Sequence, residues 1–138
     1  MKREVKIQVR GLQRGEEAEE TVETAAFGEF ARIGGSYCLK YDELSEDGDV
    51  VKTLIKISDK GMEVIKRGSI ESKMAFIPQM VTETDYSTCY GTLAMAVDTS
   101  RTEFEITESS ITLEIEYALY LNGSLASENL LNIEAVFL

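Results

Sequence analysis

The sequence predicts an all-β domain: one antiparallel meander of about nine or ten strands closed into a barrel. Three observations carry this. Apolar and polar residues alternate with period two along most of the chain, the pattern of strands with one buried face. Short breaks containing glycine or asparagine separate these runs. Where alanine and glutamate accumulate, no sustained apolar stripe of helical period accompanies them. A long meander removes its unpaired edges most simply by closing on itself, so a barrel is preferred to a β-sandwich, the alternative.

Taken in order, Val5, Ile7 and Val9 alternate with Lys6, Gln8 and Arg10, giving a half-buried strand that ends near Gly11. A charged turn over 13–20 leads into an extended run over 21–33, anchored by Val22, Phe27 and Phe30, with Gly28 at a bend or bulge. A helix over 16–30 would suit the glutamates and alanines, but Thr21, Val22, Thr24 and Gly28 disfavour it. Gly34-Gly35 signals a hairpin, followed by a strand over 36–43 with Tyr37, Leu39 and Tyr41 on one parity. Glu46-Asp47-Gly48-Asp49 makes the next turn. Val51, Thr53, Ile55 and Ile57 then share a face. Asp59-Lys60-Gly61 turns into a strand over 62–67, and Gly68-Ser69 breaks it before a run over 70–77 carrying Ile70, Met74 and Phe76.

Pro78 marks a loop before the stretch around which the chain is organised. There Thr84, Tyr86, Thr88 and Tyr90 share one parity, Gly91 forms a hinge, and Leu93, Met95 and Val97 share one parity after it. A separate strand over 102–107 holds Phe104 and Ile106 between glutamates. Residues 111–121 form the clearest alternation, and Asn122-Gly123 is the strongest short-range hairpin signal. A strand over 125–138, with Leu131, Ile133, Ala135 and Phe137 on one parity, closes the chain.

The 138 residues form a single domain, 1–138, long enough to bury roughly two-thirds of the unfolded surface. Fourteen basic against twenty-five acidic residues leave a net charge of −11. Such a field repels phosphate backbones and anionic lipid, so neither nucleic acid nor membrane is expected as a partner. Cys38 and Cys89 lie far apart and outside any Cys-x-x-Cys pattern, as free thiols of a cytoplasmic protein would. The N-terminal residues are charged and run straight into a strand pattern, so no signal or spanning segment is expected.

The chain contains no histidine. That removes Ser-His and Cys-His nucleophile activation together with the commonest metal ligand, and no cofactor or metal site is expected. Asp98-Thr99-Ser100 is similar to the nucleophile-water motif of aspartic proteases. A dyad needs a second aspartate, and the chain that follows is too short for the remaining parts of such an enzyme. Glu103 with Glu105, and Glu114 with Glu116, alternate with apolar residues and read as a solvated outer face.

Several segments in this order carry a resemblance: Thr53-Leu54-Ile55-Lys56-Ile57, then Gly68 with Phe76 eight residues on, then Tyr86-Ser87-Thr88-Cys89-Tyr90-Gly91 and Thr99. Together they resemble the YwiB-like family of bacterial proteins, a domain of unknown function. Lys66 stands where relatives commonly have arginine, with Arg67 beside it. Cys89 stands where many have proline, and Gln79 where many have glycine. The resemblance implies a calycin-like (lipocalin-like) β-barrel and brings no activity with it.

The functional expectation is a non-catalytic barrel that takes a small apolar or amphipathic molecule. Lys56, Lys66, Arg67, Tyr86, Thr88 and Tyr90 are the candidate ligand-binding residues, tyrosine hydroxyls and a cation fixing the ligand's polar end. Met62, Met74, Leu93 and Met95, or their opposite-parity neighbours, would line the calyx, which needs roughly 300 Å³ or more. The alternative is a homodimeric interaction or structural module, suggested by the apolar Phe137-Leu138 pair.

Overall fold

A computed structural model describes residues 2–44 and 48–138. Ten strands follow one another: β1 (Lys2–Arg14), β2 (Glu19–Ile33), β3 (Ser36–Leu44), β4 (Val50–Ser58), β5 (Gly61–Gly68), β6 (Ser72–Phe76), β7 (Met80–Thr88), β8 (Gly91–Ile106), β9 (Ser110–Leu121) and β10 (Ser124–Phe137). All pair antiparallel in one sheet of order β6-β5-β4-β3-β2-β1-β10-β9-β8-β7. Every neighbour is also the next strand in sequence, except that β10 returns to pair with β1. The expected meander barrel is what forms. No helix among the described residues is long and apolar enough to cross a membrane.

The barrel is nearly closed. Its remaining gap lies between β6 and β7, which share one bridge, Glu71 with Ser87, made by two backbone hydrogen bonds of 2.9 Å. Farther along, the Thr82 hydroxyl donates to the Ala75 carbonyl at 2.6 Å, a side chain replacing a ladder bond. β2 passes Gly28 without the bulge expected from the sequence, in register with both β1 and β3, and the packing there leaves no room for a side chain. A Cβ there would meet the Lys40 carbonyl oxygen, with Ile7 Cδ1 at 2.9 Å and Tyr41 Cβ at 3.0 Å.

Strands follow period two, so alternate side chains fill the interior. Val5, Ile7, Leu39, Ile55, Ile57, Phe76, Val97, Ile111, Leu113 and Ile115 form one buried cluster. One end is stoppered by aromatic rings. Phe30 stacks on Tyr37 with centroids 5.9 Å apart and meets Phe137 edge-on at 5.4 Å, while the Arg3 guanidinium lies 3.9 Å over the Phe137 ring. Phe137 thus finds its cover within the chain, and only Leu138 stays exposed.

Several boundaries differ from the sequence reading. Of the turn expected over 46–49, Glu46 and Asp47 lie outside the described residues. β1 runs past Gly11 to Arg14, and the turn before β2 shrinks to 15–18, closed by the Gly15 amide on the Ala18 carbonyl at 2.9 Å. β6 begins at Ser72, leaving Ile70 in the preceding turn. The two strands expected on either side of residue 100 are one strand, β8, whose register shifts between Thr99 and Arg101. A bulge there adds one residue and flips the parity that sequence alternation relies on. Asn122 and Gly123 do form the β9–β10 turn, with φ of 49° and 86°.

Candidate functional site

The inner face becomes polar toward the end of the barrel that carries the β3–β4 and β7–β8 turns. On β3 the parity that buries Leu39 and Tyr41 next presents Glu43. On β5 the parity that buries Met62 and Val64 next presents Lys66. Lys66 Nζ donates to Glu43 Oε2 at 3.0 Å, with only 28% and 20% of the two side chains exposed. Tyr41 lies beside them, its hydroxyl pKa pushed far up by burial and then by the charge of, and hydrogen bond to, Glu43. Across the β6–β7 gap, burial and then the Glu43 charge also push up the half-buried Tyr86.

Register completes the cluster. Thr53 pairs with Tyr41 on one side and Lys66 on the other, and Lys66 pairs with Ser72. Directly paired residues hold their Cβ atoms about 5 Å apart on one face, so Tyr41, Thr53, Lys66 and Ser72 form a continuous inner row. The Thr53 and Ser72 hydroxyls are buried without a hydrogen-bond partner, as are those of Ser69 in the adjoining turn and Thr99 on β8. Beyond this row the inner register carries Leu93 and Val22, both exposed, and the half-buried Leu119 and Leu121. This end is therefore an amphipathic mouth, opposite the aromatic stopper.

The six residues singled out by sequence divide. Lys66 pairs with Glu43, whose charge also acts on the half-buried Tyr86. Lys56 and Arg67 are exposed on the outer face, because the pleat turns each away from its buried neighbours. Thr88 ends β7, paired with Gly91, and its hydroxyl accepts the Tyr90 amide of the β7–β8 turn at 3.1 Å. Tyr90 projects from that turn, 91% exposed. The expected calyx lining is corrected too. Met62 and Met95 are buried in the packed core, Met74 packs partly against it, and Leu93 sits at the mouth. Met62 belongs to the buried cluster, whereas Met95, buried as well, also lines a cleft of about 400 Å³.

Two open clefts, of about 450 and 400 Å³, lie on the outer face. The first spans β1, β10, β9 and β8 around Leu12, Arg14, Asp98, Glu116, Glu128 and Leu130. The second is framed by Glu83, Asp85, Ala94 and Ala96. Asp98 is exposed, while Thr99 faces inward. No group of three or more metal-ligating side chains gathers among the described residues. Glu43, Thr53 and Ser72 were missed as site residues. Glu43 was legible as an acidic residue on the buried parity of Tyr37, Leu39 and Tyr41.

This architecture defines a ten-stranded antiparallel meander barrel with a packed interior and one polar inner end. The chain belongs to a family described as a domain of unknown function, DUF1934, which matches residues 7–133. It is similar in structure to the ywiB protein from Bacillus subtilis, known from a crystal structure, with a TM-score of 0.90 and 18% sequence identity. The match covers 99% of this chain and 92% of that one. At that identity the likeness shows the fold. Among curated proteins none matches the chain.

Proposed function

We propose that this barrel is a non-catalytic binding protein, working in the cytoplasm, that takes a small amphipathic molecule at its polar mouth. The observation that supports this most is the Lys66–Glu43 ion pair on the inner face, flanked by the hydroxyls of Thr53 and Ser72, which lack partners. Buried polar groups are ordinarily satisfied, and an unpaired one costs about 1–3 kcal/mol. A ligand's polar head would meet this end at the Lys66–Glu43 pair, which keeps 28% and 20% of its side chains exposed, while its apolar body would cover Leu93 and Val22, which otherwise face water on the inner register. Because the lower barrel is filled by side chains, the ligand lies across the mouth. The free thiols of Cys38 and Cys89 suit a reducing compartment.

Native mass spectrometry of the protein from a cell extract, repeated after denaturation, tests this. A non-covalent adduct that is lost on denaturation, and is absent from Lys66→Met protein, is the expected result. An adduct-free dimer would favour the homodimeric module instead, and an adduct-free monomer would make the polar row purely architectural.

A further inference from the structure

We propose that β2 is the docking site of an extended, basic peptide segment, which adds to the sheet as a further strand along residues 19–27. Strand addition here needs no ligand at the mouth. β1 pairs with β2 along almost its whole length, from Glu19 to Ala31. β3 covers the other side of β2 only over 28–33, and beyond Tyr41 it pairs with β4 alone. Residues 19–27 therefore present an unpaired edge, since no other strand among the described residues reaches it. Along such an edge the N–H and C=O groups of alternate residues point away from the sheet and are open to a partner strand. Both faces of β2 are also open to water there. Val22 is 54% exposed on the inner side and Phe27 72% exposed on the outer.

Charge selects the occupant. Glu19 and Glu23 lie on the outer face of this edge and Glu20 on the inner, with Glu16 and Glu17 in the adjoining turn. Arg14 and Arg10 on β1 approach Glu19 and Glu23 at 3.4 and 3.6 Å, in pairs more than half exposed that water screens. Among the described residues no cation reaches Glu16, Glu17 or Glu20. A second copy of the chain would bring the same glutamates together along this edge, and a net charge of −11 against another, so self-pairing is disfavoured. The charges that keep identical edges apart admit a partner of opposite sign. A strand with lysine or arginine on its outer side meets Glu19 and Glu23, lays its aliphatic stems over Phe27, and sets apolar residues beside Val22 on the inner side.

The test titrates a dye-labelled peptide of alternating lysine and valine, as long as the open edge, against the whole protein by fluorescence anisotropy. One control has glutamate for lysine. The other keeps every charge but is N-methylated at each backbone amide, which prevents strand pairing. The basic peptide should bind about tenfold or more tighter than either control. Binding should weaken between ionic strengths of about 0.01 M and about 0.15 M. The bound peptide should slow hydrogen exchange at alternate amides within 19–27, and the Glu20→Gln, Glu23→Gln double variant should bind it more weakly. Equal binding of the methylated peptide would reduce the effect to charge alone, and exchange protection elsewhere would move the site; either overturns the proposal. Absence of binding also overturns it, and leaves the glutamates as protection of a bare edge. A two-chain mass at micromolar concentration, with 19–27 protected, overturns it by giving the edge to a second copy. None of these outcomes bears on the adduct sought at the mouth.

Discussion

Lys66 on β5 reaches across the inner face of β4 to hydrogen-bond Glu43 on β3 at 3.0 Å. The contact spans two strand spacings and passes between Val51, which pairs with Glu43, and Thr53, which pairs with Lys66. With 28% and 20% of the two side chains still exposed, removing one charge leaves the other partly desolvated and unpaired.

Lys66→Met should therefore destabilise the fold by about 1–3 kcal/mol, the cost of an unpaired, partly buried carboxylate. Adding Glu43→Gln should recover part of that loss. Urea denaturation of the two single variants and the double variant gives the coupling energy directly. Strictly additive effects would mean that the pair contributes nothing to stability.

On the outer face, Glu103 and Glu114 sit directly opposite one another, an arrangement that is repulsive by itself. Arg101 resolves it, contacting Glu114 at 2.8 Å and Glu116 and Glu103 at 3.0 Å each. Hydrogen bonds to Glu116 and then Glu114 push the guanidinium pKa up further. Arg101→Gln should lower the unfolding midpoint most at low ionic strength, and the gap should narrow as salt screens the exposed glutamates. A gap independent of salt would assign the effect to packing of the arginine stem.

Gly28 and Gly35 provide a matched pair on one strand and its turn. Gly28→Ala forces a methyl group into the Lys40 carbonyl, Ile7 and Tyr41, and should cost about 1–3 kcal/mol or more, as overpacking does. Gly35→Ala meets nothing within 4 Å and should be neutral or slightly stabilising. Thermal unfolding of both checks this, and similar melting temperatures would remove the steric account of Gly28.

Much of this fold was legible because period-two alternation is a local signal. Val5, Ile7 and Val9, or Ile111, Leu113 and Ile115, announce their buried face without reference to the rest of the chain. The bulge at Ser100 was not legible, since one inserted residue carries no special composition and simply breaks the pattern. The site shows the same division. Lys66 and Glu43 share parity with buried neighbours, whereas Lys56 falls between the buried Ile55 and Ile57 and so had to point outward. Carrying the Tyr86 stripe on to Tyr90 extended strand parity into a turn. That the Glu43 charge acts on Tyr86 depends on barrel closure between β6 and β7, a long-range event with no local signature.

The tyrosines around that closure set the alkaline limit of stability. Tyr41 is held above its ordinary value of about 10 by burial and by Glu43, and burial is the leading cause for Tyr86 and Tyr117 as well. Below pH about 10 these groups are protonated in folded and unfolded chains alike, and their contribution is fully present. Above it the unfolded chain releases protons that the folded chain retains, so stability falls as pH rises toward the folded-state values. Tyr41→Phe should cost about 1 kcal/mol at neutral pH, through the lost hydrogen bond to Glu43. It should also flatten the decline above pH about 10, because phenylalanine has no proton to release. Urea midpoints of both proteins at pH about 8 and about 11 measure the two effects, with lysine titration common to both proteins. If the two proteins lose stability in parallel over that interval, the Tyr41 hydroxyl is not coupled to folding in the way its position beside Glu43 requires.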